Sequence, residues 1–519
     1  MKRRDFLAAT STFLIPAMVE GFGVKAFGIN SPLVQSLLKT NALAKDRVLV
    51  IIYLSGGNDG LNTVIPLDQM SQYTSLRTNI AIPEPSVLRL GDGSTGLHPS
   101  MIGLKQMHDN GKLSVVHSVS YPTPNFSHSR ASEILMTAVD SNVVDVTTGW
   151  AGRYLENRFD NYPIAPITDR DNLNAVMEDP LAIQIGFLTS QTLLGSNQTM
   201  TISISDPATF EVLVGGGSKS LPPVDLPCDN ACEAADLISF IRNQQALAIA
   251  YGKEITAANN AGKTTTPPVY PTGNSLADEL KIVARLIGGG LKTKVYFVSM
   301  GGFDTHSAQV QTDDKTKGSH ATLLGKLSAG IKAFQDDLQS RGIEDKVAGF
   351  TFSEFGRRAT SNGSSGTDHG SAAPMIVFGS SLKRQSVGRN PNIGGYSNLP
   401  TDLTDSINGN KNLKMQVDFR RIYWDILTDW FGTSKTEAAS ILYDKSFDTV
   451  SLFTEEVCTI KSGAWHDEAT WSCARVPFIT ENIRICEGHT VTVGVNTLVK
   501  KMQNFGKLIV APGIKLRLG

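Results

Sequence analysis

The chain has 519 residues and a formal net charge of −1, with 41% hydrophobic and 19% charged residues. That balance lacks the basic excess of a nucleic-acid-binding chain, so no nucleic acid is expected as a partner, and it supplies apolar material for a large core. The length suggests more than one domain, although α/β enzymes can use most of it in one.

The first residues, MKRRDFLAATSTFLIPAM, place Lys2, Arg3 and Arg4 before Phe6 and Leu7 and a weakly apolar stretch. This reads as a twin-arginine export signal. Pro16, Glu20 and Lys25 make it too short and too interrupted for a stable membrane span. Ala42-Leu43-Ala44 is a small-x-small cleavage site, and Val24-Lys25-Ala26 a poorer one. Residues 1–44 are therefore expected to be signal peptide and leader, read by the twin-arginine export machinery. The protein is expected in the periplasm or at the cell surface. Five cysteines agree with an oxidising compartment: Cys228 and Cys232 lie close together, and Cys458, Cys473 and Cys486 cluster near the C-terminus.

Residues 47–55 (RVLVIIYLS) form a continuous β-branched run, the pattern of a parallel strand buried on both faces. It ends in GGNDGLNT, which puts Asp59 at the strand's C-terminal end. Residues 113–119 are a second strand, and NFSHSR at 125–130 opens a helix. There Ser127 is either a nucleophile in the helix dipole or a simple cap, and Arg130 is placed to hold an oxyanion. Residues 182–187 are a weaker strand. Ser275 begins a helix, with Asp278 completing a capping-box pattern, and Gly288, Gly289 and Gly290 stop it. Strand 294–300 ends in GGFDTH. Helix 320–338 carries Leu323, Leu327, Ile331, Phe334 and Leu338 on one face. Apolar runs at 347–352 and 372–378 then bracket TFSEFGRRATSNGSSGTDHG, with Glu354, Asp368 and His369. Asp418 is placed to cap a helix whose stripe of Phe419, Ile422, Tyr423, Ile426, Leu427, Trp430 and Phe431 is core. Residues 217–229 and 258–272 read as loops.

Strands alternating with helices predict a doubly wound α/β domain over residues 45–450, with ligands at the strands' C-terminal ends. Asp59, Asp304, His306 and Glu354 fall there. Asp, Glu and His suit a divalent ion in a hydrolytic site. Asp304 and His306, two apart, face one side of an extended stretch. Each of these residues alone is more simply a turn residue, a cap or a surface group, so the argument is their recurrence at one sheet edge. His98, His108 and His117 show no such pattern. Residues 453–519 read as a small all-β module, the start of a β-solenoid.

The segments LVIIYLSGGNDGLNTVIP, NFSHSRASEIL, TGWAGRYL, VSMGGFDTH, TFSEFGR and GTDHGSAAPMIVFG, in order between residues 47 and 432, resemble the exported family called domain of unknown function 1501. That family is similar in fold to alkaline phosphatases and sulfatases. The resemblance implies a three-layer α/β/α sandwich with a mainly parallel sheet and a metal-dependent site at its edge. Carried over, it makes Asp59, Asp304, His306, Glu354 and His369 metal ligands, with Ser127 or Ser129 as nucleophile and Arg130 as oxyanion holder. The implied cofactor is a divalent ion: zinc, calcium, magnesium or manganese. The spacing from Asp304 to His306 is shorter than the superfamily's. Phe355 stands where a ligand histidine is expected, and NFSHSR has no cysteine to become formylglycine. The C-terminal SGAWHDEATWSCARVP resembles β-rich modules appended to exported bacterial proteins, and its Trp465 and Trp471 are either packing or sugar-stacking aromatics.

The expectation is thus an exported, metal-dependent hydrolase of a phosphate or sulfate ester. The rival is a non-catalytic protein on the same fold, binding a glycan or an envelope partner, with the β module serving attachment.

Overall fold

The computed structural model describes residues 15–19, 22–27, 47–159, 179–186, 188–196, 200–207, 209–210, 248–249, 251–264, 268–404, 411–453, 456–471, 476–477, 482–486, 488–499, 501–504 and 506–518. The expected signal peptide lies mostly outside them, as do the cysteine pair at 228 and 232 and the loop at 217–229. Among the described residues no helix is long and apolar enough to cross a membrane.

The chain divides into two units: Arg47–Thr428 with Thr433–Leu452, and Met1–Asp46 with Asp429–Gly432 and Phe453–Gly519. Among the described residues, the first is built on a nine-stranded sheet. Its strands are β1 (Val48–Leu54), β2 (Leu113–Ser120), β3 (Ala182–Ile185), β4 (Thr201–Ile204), β5 (Val295–Met300), β6 (Val347–Phe352), β7 (Ala373–Gly379), β8 (Ser386–Val387) and β9 (Val417–Asp418). They run in the order β8-β2-β7-β6-β1-β5-β3-β4, with β9 also paired to β2. All pairings are parallel except those of β7, which is antiparallel to both neighbours. Every residue of β2 and β6 is buried. That explains the unalternating apolar runs, since a strand covered on both faces has no solvent side to mark with polar residues.

The helices supply that cover. On one side α1 (Ile102–Asp109), α4 (Ser275–Gly288) and α5 (Ser319–Ser340) pack together. The apolar stripe of α4, Leu276, Leu280, Val283 and Ile287, is buried as its period requires. Its cap is Asn274, whose side chain accepts from the Ala277 N–H, and not the expected Ser275. On α5 the buried position is Leu324, with Leu323 half-buried. In the other layer are α2 (His128–Thr137), α3 (Trp150–Arg158) and α6 (Phe419–Asp425). Tyr423 of α6 stacks on Trp150, packs on Phe350 of β6 and donates its hydroxyl to the Leu135 carbonyl. Asp418 caps α6, as its position predicts. Residues 258–261 are helical, so the loop expected from 258 begins at 262.

In the C-terminal unit, Glu456–Cys458, Asn482–Ile485 and Lys501–Asn504 pair in parallel, as do Gly463–Ala464, Thr490–Val493 and Lys507–Val510, and Thr497–Val499 with Leu516–Leu518. Successive chain turns thus stack strand on strand, as a solenoid does. Val457, Trp465, Trp471, Ile483, Ile485, Val491, Val493 and Val499 fill its interior. Both tryptophans are fully buried, with the Trp471 indole N–H donating 2.7 Å to the Trp465 carbonyl. They are packing residues, so no sugar-stacking surface is formed by them. Cys486 is a free thiol. The side chains of Cys458 and Cys473 lie outside the described residues.

Candidate metal centre

Three loops meet where β1, β5 and β6 end. The loop after β1 turns through Gly56 at φ +124° and Gly57 at φ +79°. A Cβ on Gly56 would lie 2.3 Å from the Asp304 backbone nitrogen, and one on Gly57 would lie 2.4 Å from the Phe355 ring. Only glycine admits both the left-handed backbone and that contact. The GG dipeptide therefore brings the β1 turn against the loops after β5 and β6.

His128, Asp304 and His369 converge there, each offering a donor atom within 4.8 Å of the other two. Asp304 Oδ1 lies 3.7 Å from His128 Nε2 and 3.5 Å from His369 Nε2. Each donor is held by a partner behind it. His128 Nδ1 is 2.7 Å from Glu354 Oε1, a buried carboxylate that also accepts 2.8 Å from the Gly56 N–H. His369 Nδ1 is 2.8 Å from the Phe126 carbonyl. A carboxylate or carbonyl can only accept, so both histidines carry a proton on Nδ1, and Nε2 is the ring atom left facing Asp304. For His369 that Nε2 is buried and, among the described residues, has no hydrogen-bond partner. Asp304 accepts from the Arg357 guanidinium at 2.5 Å, and His306 Nδ1 lies 2.8 Å from the same oxygen. Arg357 is wholly buried and spends its remaining N–H groups on the carbonyls of Gly56, Gly57, Phe303 and Thr367.

The electrostatics agree. Burial works against the ionised Asp304, but Arg357, with His306 and His128, outweighs it and holds the carboxyl below its ordinary range. Burial lowers His369, which the nearby Arg357 reinforces against the pull of the Phe126 carbonyl, so its ring stays neutral at physiological pH. Two imidazoles and an ionised carboxylate, each held from behind, match the donor set of a three-ligand divalent site with open positions. The orphaned Nε2 of His369 fits such an ion, because a buried acceptor with no donor is otherwise an uncompensated cost.

The remaining expected ligands stand apart from this triad. Asp59 is fully buried, paired with Arg77 at 2.6 Å and accepting from Gln309 at 2.5 Å, so its carboxylate already has its cation. Burial opposes its ionisation, and Arg77 overcomes that to lower its pKa. Glu354 stands one shell out, behind His128. His306 touches Asp304 but is not among the converging donors. Phe355, where a histidine is expected, packs its ring on His128 and His369 at 4.9 and 4.5 Å, as the floor of the site.

Ser127 and Ser129 are exposed on either side of His128. Ser127 occupies the cap position of α2, but its side chain makes no capping bond. Arg130 is engaged with the carbonyls of Ser141 and Val143 and with Glu133 at 2.6 Å, away from the triad. Its guanidinium is a loop tie in this structure. Asp368 accepts from Asn362 at 3.0 Å. The sequence reading did not include His128 among the residues that converge here. The available signal was its place as the first helical residue after a strand-end loop, beside the serines.

Residues 229–442 match the family model described as "Protein of unknown function (DUF1501)". That segment carries Asp304, His306, Glu354 and His369, while Asp59 and His128 precede it. A comparison with curated proteins finds no match. Among solved structures, the lipoteichoic acid synthase LtaP from Listeria monocytogenes is 8% identical, over 79% of this chain and 77% of that one, with a TM-score of 0.33. That likeness is too distant to transfer an activity.

Proposed function

We propose that the chain is a metal-dependent hydrolase of a phosphate or sulfate ester, exported through its twin-arginine leader and holding one divalent ion on His128, Asp304 and His369. The convergence of those three donors, each oriented by a partner behind it, carries the reading. The ester class comes from the sequence resemblance to domain of unknown function 1501, a family similar in fold to alkaline phosphatases and sulfatases.

When bound, a divalent ion supplies Lewis-acid polarisation and charge neutralisation at an ester oxyanion. The chain's own residues do the rest. Arg357 keeps Asp304 ionised and fixed. Glu354 and the Phe126 carbonyl hold the Nδ1 protons of His128 and His369, which leaves Nε2 as the atom each ring offers an ion. Phe355 excludes water from beneath the rings. Ser127 and Ser129, exposed beside His128, are the nucleophile candidates, distinguished by Ser127→Ala and Ser129→Ala.

Two observations favour a second reading, a non-catalytic envelope protein binding a glycan or a protein. The Asp59 carboxylate is taken by Arg77, and Phe355 replaces a donor, so the two-ion clamp of phosphoryl transfer is not assembled. One experiment separates the readings: metal-loaded protein against 4-nitrophenyl phosphate, bis(4-nitrophenyl) phosphate and 4-nitrocatechol sulfate, beside Asp304→Ala. Hydrolysis lost in the variant supports the enzyme. Metal binding without hydrolysis of any of the three supports the binding protein.

A further inference from the structure

We propose that Glu354 is the positioning residue that makes His128 a metal donor, fastening the centre to the turn after β1, and that it is not itself a ligand. The inference rests on the metal-centre reading above and assigns to Glu354 a different role from the one family resemblance implies.

Glu354 follows β6, and its side chain is 1% exposed. Both carboxylate oxygens are occupied from within the protein. Oε1 accepts from the Gly56 N–H at 2.8 Å and from His128 Nδ1 at 2.7 Å, and Oε2 shares the Ser353 hydroxyl, 3.1 Å away, with the Leu54 carbonyl at 2.6 Å. His128 is the opposite case. Its side chain is 38% exposed, and among the described residues its one short polar contact is the one Glu354 makes. The Phe355 and His369 rings confine it on two sides but cannot choose its tautomer. Glu354 chooses it. A carboxylate on Nδ1 requires the proton there and leaves Nε2, the atom nearer Asp304, as the lone pair.

The same carboxylate joins two loops. Gly56 lies against the Asp304 backbone, and its N–H is bound by Glu354. One turn therefore sets the position of Asp304 directly and that of His128 through Glu354. A ligand carboxylate would need an oxygen free to leave these contacts, and releasing Oε1 would free His128 as well.

The test titrates full-length, metal-stripped protein with Zn²⁺ and Co²⁺ by calorimetry and records the visible Co²⁺ spectrum at saturation. Glu354→Gln keeps the shape and removes the charge. Its affinity is expected to fall roughly 10- to 100-fold, the usual cost of losing an outer-shell partner. Its saturated Co²⁺ spectrum should match wild type, because the donors are unchanged, and its metal-free melting midpoint reports folding separately. Should that variant fail to fold, Glu354→Asp, which keeps the charge but withdraws it from His128, carries the same expectation. His128→Gln should lose binding. Wild-type protein that binds neither ion overturns the metal-centre reading and this inference with it. Wild type that binds while Glu354→Gln stays within twofold overturns the positioning role alone. A changed Co²⁺ spectrum in Glu354→Gln overturns it too, by making Glu354 a donor.

Discussion

Arg77→Met should be among the most destabilising single substitutions in the α/β unit. The Asp59 and Arg77 side chains are both 0% exposed and 2.6 Å apart. Arg77 also donates to the carbonyls of Ala359 and Arg358 and to the Asn62 side chain, at 2.9, 2.8 and 2.9 Å. Methionine fills much of the volume and removes every one of these donors. Breaking a buried pair from one side costs about 3–5 kcal/mol, and each orphaned acceptor adds roughly 1 kcal/mol or more. Against a total stability of about 5–15 kcal/mol, a loss of at least about 4 kcal/mol moves the urea midpoint far down. Asp59→Asn with Arg77→Met removes the stranded charge and should recover at least about 1 kcal/mol of that loss, a coupling expected of contacting residues. The assay is equilibrium urea unfolding of the two single variants and the double, in chelator, followed by tryptophan fluorescence. A loss under about 1 kcal/mol for Arg77→Met, or strict additivity in the double variant, would refute the claim that Arg77 is the cation Asp59 requires.

Three further outcomes follow from the same structure. His320 is fully buried, and burial pushes its pKa down to about 4 from an ordinary 6.5. Below pH 6.5 the unfolded chain therefore binds a proton the folded chain refuses, so stability falls as pH drops from 6.5 towards 4, by an amount on the order of 3 kcal/mol. His320→Gln should flatten that slope in pH-dependent urea melts, and an unchanged slope would contradict the assignment. Gly57→Ala meets the Phe355 ring and a positive φ, so it should cost more than about 1 kcal/mol in thermal melts and weaken Zn²⁺ binding by displacing the floor under both histidines. Trp471→Ala empties the solenoid interior and should cost about 3–5 kcal/mol in that unit, read from the near-ultraviolet circular dichroism transition.

Much of the fold was legible because strands buried on both faces write themselves as apolar runs. Those at β1, β2, β5 and β6 stand within a residue or two of their expected limits. The orientation of β7 was not legible. Its run AAPMIVF is apolar whichever way it lies, and a long polar loop can return the chain in either direction. The strand-end rule grouped Asp304, Glu354 and His369 at one sheet edge, and the structure brings these three residues together there. What it could not divide was donor from supporting residue. Asp59 and Asp304 read alike as acids after a glycine turn. Only the three-dimensional positions of Arg77 and Arg357 show that Asp59 is enclosed in a buried pair, while Asp304 keeps a side chain that is 49% exposed. His128 was passed over because the serines around it drew the functional reading, and the contact that orients its ring reaches across 226 residues to Glu354.

Metal content decides the central claim most directly. Full-length protein, saturated with Zn²⁺, Mn²⁺, Mg²⁺ or Ca²⁺ in turn and freed of excess ion, would be assayed by inductively coupled plasma mass spectrometry beside His128→Ala, Asp304→Ala and His369→Ala. The account predicts about one ion per chain for wild type and near zero for each folded variant. Wild-type protein that retains none of the four ions, or variants that retain as much as wild type, would contradict it.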